Sequence, residues 1–148
     1  MTWQQLQNSD RAQPLPTSKQ EIDSLRAVVD RDLKDAAVAG LSSDRKFATA
    51  YNAALQLAQM VVRCAGYRIT ARVGHHQTTL EAMKLAMGST VDATMDYFDT
   101  CRRKRNRLDY DRTQVATETE AEELLEEAKK FRELVESWIR QNNPQFAV

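Results

Sequence analysis

Helix-start signals punctuate this chain at intervals that leave room for a helix after nearly every one. Thr17-x-x-Gln20, Ser18-x-x-Glu21, Thr78-x-x-Glu81, Ser89-x-x-Asp92 and Thr117-x-x-Glu120 each place a hydroxyl three residues before a side chain that can reach back to the backbone. Ser42 or Ser43 opens a further segment, and Gly40, Gly66 and Gly88 stand where the preceding helices would stop. Between these marks apolar residues recur at spacings of three and four, as one buried helix face requires. With only 4 Gly and 3 Pro in 148 residues, little else interrupts the chain. A hydrophobic share of 42% is enough for the core of one domain. No β-branched alternation or Asn-Gly turn signals a strand, and no repeat recurs along the sequence.

The expected fold is therefore all-α: an up-and-down bundle of four long helices plus one short one. The first runs from Ser18 to about Ala39, with Ile22, Leu25, Val28, Val29 and Leu33 inward. The second, alanine-rich, turns Phe47, Ala50, Tyr51, Ala54, Ala58, Val61 and Ala65 inward, and its small residues permit a close helix–helix approach. Residues 67–77 read as a loop, 78–88 as the short third helix, and a fourth begins near Ser89. The fifth follows Thr117 to about Gln141, with Leu124, Ala128, Phe131, Val135, Trp138 and Ile139 on its inner stripe. Residues 1–16 read as a flexible arm, 17–141 as the bundle and 142–148 as a loose tail.

The formal net charge is +0, so no global field draws the chain to nucleic acid or to a membrane surface. Charge is segregated instead, basic over 102–107 and acidic over 118–127. No apolar run approaches a membrane span, and the polar N-terminus lacks the apolar centre of an export signal; a cytoplasmic protein is expected. Cys64 and Cys101 then read as buried thiols in a reducing compartment. HExxH, P-loop and CxxC patterns are absent, so neither a metal nor a cofactor is expected. His75 and His76 are adjacent and cannot easily grip one metal ion, whereas either could act as a general acid or base or touch a phosphate.

Five of the six residues from Arg102 to Arg107 are basic. Basic charge at a helix C-terminus needs no function to explain it. Arg105 is different. At about 100° per residue it falls within roughly 40° of Val91, on the stripe formed by Val91, Met95, Phe98 and Cys101; Arg102 falls within roughly 20°. A guanidinium turned toward a core requires a partner carboxylate or a polar cleft. Arg105, Asn106 and Asp109 lie within one turn, with Tyr110 a residue further. Such a set can hold a phosphate or a nucleotide, with Arg102, Arg103 and His76 as further contacts. It can equally be a structural lock closed by Asp109 or Asp111.

The string RRKRNRLDYD over 102–111 resembles the signature of the HEPN superfamily, in particular a prokaryotic branch carrying R-N-x-x-x-Y. The upstream helix AYNAALQLAQMVVRCAGYR and the loop ending GHHQTT agree with that resemblance. It implies a helical bundle and a homodimer, here expected through the fourth helix. Many active members carry R-x4-6-H, and the Arg and His of two protomers form a metal-independent ribonuclease site. By that resemblance Arg105 matches the motif arginine and Asn106 the polar residue after it. Tyr110 stands where a histidine could be, and 102–115 contains no histidine. RNA or a nucleotide is the implied ligand, in a toxin-like or defence-linked setting with an antitoxin. The resemblance equally allows a non-catalytic module that dimerises or binds a nucleotidyltransferase. His75 or His76 could supply the missing imidazole.

Overall fold

The computed structural model describes residues 1–108 and 115–148. Six helices and a two-stranded sheet occur in these residues: α1 (Trp3–Asn8), β1 (Ala12–Pro14), α2 (Lys19–Ala36), α3 (Ser43–Cys64), β2 (Tyr67–Ile69), α4 (His75–Met87), α5 (Asp92–Leu108) and α6 (Glu118–Asn142). Short 3-10 turns precede α5 and follow α6, at Ser89–Val91 and Pro144–Phe146. The all-α bundle expected from the sequence is the fold, with α2, α3, α5 and α6 as its long members.

The caps explain the boundaries. Ser18 Oγ accepts from the Glu21 N–H, Ser42 Oγ from the Arg45 N–H, and Thr117 with Glu120 forms a full capping box. α3 is the hub, packed against α2, α4, α5 and α6. Its alanines at 50, 53, 54 and 58 are fully buried, which lets the neighbouring backbones approach closely. Phe98 of α5 meets Phe131 of α6 with ring centroids 5.2 Å apart, both rings buried. Besides its apolar stripe, α2 meets α3 and α6 through largely buried polar pairs. Asp32, nearly buried, accepts from Asn52 at 2.5 Å and from Arg31. Arg26 holds Glu136 of α6 at 2.8 Å and donates to the Phe146 carbonyl.

Four expectations need correction. Residues 1–16 are not a loose arm. Thr2 and Gln5 form a capping box over α1, and Leu6 and Ala12 are fully buried against Val62, Ile69, Ala71 and Ala82. Residues 67–69 pair antiparallel with 12–14, Ala12 opposite Ile69 and Pro14 opposite Tyr67, and Trp3 stacks on Tyr67 at 4.1 Å. A three-residue strand contains too few alternations to show a period of two, so the sheet left no mark in the sequence. The tail beyond 142 is also held: Asn143 donates to the Cys64 carbonyl, and Phe146 and Ala147 pack on the core.

The last correction shapes the site. α4 begins at His75, three residues before the expected start at Thr78. Thr78 does not cap it; Thr78 and Thr79 are buried inside the helix, and Thr79 Oγ1 donates back to the His75 carbonyl at 2.8 Å. The start is set by Gly74, at φ +69°, a left-handed conformation that a side chain would strain. Both histidines thereby stand in the first turn of a helix.

Candidate functional site

Three helices bring unlike chemistry to one place. α5 supplies Arg102 and Arg105 from its last turns, α4 supplies His76 from its first, and α3 supplies Tyr51 from its buried face. His76 Nδ1 lies 3.4 Å from Tyr51 Oη, with ring centroids 5.9 Å apart. Arg102 and Arg105 lie close enough to bear electrostatically on both groups.

The inward angle of α5 is as the sequence requires. Val91, Met95, Phe98 and Cys101 are buried along one stripe. Arg102, on that stripe, is 18% exposed and donates through Nε to Asp99 Oδ1 at 2.8 Å. Arg105 is half-buried and engaged in an interaction of its own. The level of the bundle that these arginines reach is polar, because α3 presents a tyrosine there and α4 a histidine.

Burial pushes the Tyr51 phenol up from its usual range, against the pull of Arg102 and Arg105, so it remains a protonated hydroxyl. Burial also pushes the His76 imidazole below its usual value, with Arg105, His75 and Arg102 adding to the effect. At neutral pH it is an uncharged ring set against two guanidinium groups. No side chain caps α4, so its first backbone N–H groups add to the positive potential around the histidines. A neutral imidazole beside fixed cations and helix N–H groups is an arrangement that can receive an anion and accept a proton from it.

The other basic residues part ways. Arg103 is exposed, near Thr100 and 4.0 Å from Asp99. Lys104 turns to Glu120 of α6 and ties the basic run to the acidic one; that bond holds the Glu120 carboxyl down at about 2. Asn106 and Arg107 are exposed. Asp109, Tyr110 and Asp111 lie outside the described residues. Among the described residues, no three His, Cys, Asp or Glu side chains gather as a metal site would require. No described helix is long and apolar enough to cross a membrane.

The sequence reading turned Tyr51 inward as a core residue and singled out neither it nor Asp99 for the site. A signal for Tyr51 existed: a hydroxyl among Ala50, Ala53 and Ala54 must find a polar partner when buried. Asp99 sits one turn before Arg102 and Arg103, at the spacing of an intrahelical ion pair.

A family model described as HEPN domain matches residues 29–138, from the middle of α2 to near the end of α6. No curated protein and no solved structure matches the chain.

Proposed function

The chain belongs to the HEPN domain family, and from that premise we propose that His76, Tyr51, Arg102 and Arg105 form an RNA-cleaving centre in which His76 supplies the imidazole missing from the α5 motif. The observation that carries this reading is the 3.4 Å contact between His76 Nδ1 and Tyr51 Oη beside the two arginines.

The chemistry follows from the placement. With Nδ1–H donating to the Tyr51 oxygen, Nε2 keeps its lone pair. It takes the proton of a ribose 2′-hydroxyl as O2′ attacks the adjacent phosphorus. The P–O5′ bond breaks, the leaving oxygen is protonated from solvent, and a 2′,3′-cyclic phosphate remains. Arg102 and Arg105 neutralise the charge that builds on the phosphoryl oxygens, and neither can lose its own. General base catalysis contributes about 10²–10⁴-fold and one preorganised charge donor about 10²–10³-fold. Tyr110 and Asn106 are assigned no proton transfer in this scheme.

The resemblance implies a dimer, and we place its contact at α5. Two basic runs meeting there would repel each other. A bound phosphate backbone would relieve that repulsion, which couples RNA binding to pairing.

The test is cleavage of single-stranded RNA by the purified protein, with His76→Gln and Arg105→Ala beside the wild type. The wild type is expected to cut and both variants to lose about 100-fold or more. Uncut RNA with the wild type, or full activity in His76→Gln, would overturn the scheme. Arg105→Ala that merely lowers the melting temperature by several degrees, with no activity to lose, would favour a structural lock in a partner-binding module.

A further inference from the structure

A second basic surface adjoins the first. Between the hairpin and the end of α3 lies an open groove of about 740 Å³, lined by Arg63, Arg68, Arg72, His75, Gln13 and Asp10 among others. Its origin is legible in the hairpin register. Ala12 and Ile69 face the small inner core, which turns Gln13 and Arg68, paired across the strands, to the outside. Arg63 arrives from the last turn of α3 and Arg72 from the bend before α4.

Three guanidinium groups therefore face one carboxylate, that of Asp10. Arg63 is shared with Glu21 through an ion pair. Arg68 and Arg72 are exposed and carry no ion pair among the described residues. Gln13 adds an amide that can donate and accept. The groove reaches the candidate centre through α4: His75 lines it, and the His75 ring lies 6.1 Å from that of His76. Asp10 and Gln13 lie outside the span that the family model matches.

We propose that this groove holds the phosphates of a single-stranded RNA on one side of the bond presented to His76, with Arg68 and Arg72 as the principal contacts. The proposal rests on the ribonuclease reading for its polarity, not for the existence of the groove. The hairpin's Tyr67 is already stacked on Trp3, so the groove offers charges for phosphates rather than a platform for bases, and the flexible backbone of a single strand can follow charges spaced in this way. Binding should then be driven by counterion release and depend steeply on salt.

The experiment measures the affinity of a single-stranded RNA of about 12 nucleotides, within the ~4–16 nucleotides of single-strand modules, as a function of salt. Wild type is compared with the double variant Arg68→Gln, Arg72→Gln. Both side chains are exposed, so the variant is expected to melt with the wild type. Each lost phosphate contact removes about 0.7 from the slope of log affinity against log salt, so the slope should flatten by about 1.4. Where RNA is cleaved, the variant should lose more kcat/KM on that strand than on a dinucleotide. An unchanged slope, equal losses on both substrates, or no RNA binding by the wild type would overturn the groove. A flattened slope without any cleavage would keep the groove and remove the ribonuclease reading; cleavage with an unchanged slope would do the reverse.

Discussion

Tyr51→Phe separates the hydroxyl at the centre of the site from the ring that fills the core. The ring is 1% exposed, and phenylalanine occupies the same space, so no cavity opens. What is lost is one hydrogen bond at 3.4 Å, near the long limit for such a bond. Ordinary intramolecular hydrogen bonds contribute about 0.5–1.5 kcal/mol net, and a long one to a half-buried ring belongs at the low end, about 0.5 kcal/mol. For a domain of this size that corresponds to about 1–2 °C in melting temperature. The catalytic effect should be far larger. Without its partner the imidazole can turn, and misplacement by about 1 Å costs on the order of 100-fold in rate. RNA cleavage should therefore show kcat down by about 10- to 100-fold, KM within about twofold, and an almost unchanged thermal melt. An undiminished kcat would refute the orienting role. A melting temperature lower by about 6 °C or more would show instead that the hydroxyl is mainly structural.

Other expectations follow from the same packing and charges. The His76 imidazole should titrate below its ordinary value in an NMR pH series, and the midpoint should rise in Arg105→Gln, since a neighbouring cation that disfavours protonation is gone. Because the unfolded chain holds that proton more tightly, stability is fully present above the ordinary histidine pKa and falls as pH drops through the lowered one. Phe98→Ala removes a ring with 0% exposure from the contact with Phe131 and should cost about 3–5 kcal/mol, read as a lower urea midpoint at constant slope. Cys64 and Cys101 are buried and their thiols are pushed up to about 11, so a thiol reagent at neutral pH should label them only at the rate at which the chain opens.

The bundle was legible because its causes are local. Ser18, Ser42 and Thr117 cap the helices that their spacing announced, and Ile22, Val29, Phe47, Leu124, Phe131 and Ile139 are buried as their periodicity requires. The inward turn of Arg102 and Arg105 could be read for the same reason, since helix geometry alone places them. The sheet could not be read, because Ala12–Pro14 finds its partner 55 or so residues away and spans too few residues for a pattern. The meeting of His76 with Tyr51 was hidden for a related reason. It depends on where α4 begins, and a threonine that looks like a cap at position 78 is in fact buried inside the helix, where its neighbour Thr79 donates back to the His75 carbonyl. Tertiary placement decides such contacts, and sequence spacing within one helix carries no record of them.

The central claim is that Arg105 and His76 act on one phosphate as a unit. Single-turnover cleavage rates of the wild type, Arg105→Ala, His76→Ala and the double variant test it directly. Groups that act together are strongly non-additive, so the double variant should be about as slow as the slower single variant. Losses that multiply in full, or a wild type that leaves RNA intact, would contradict the account.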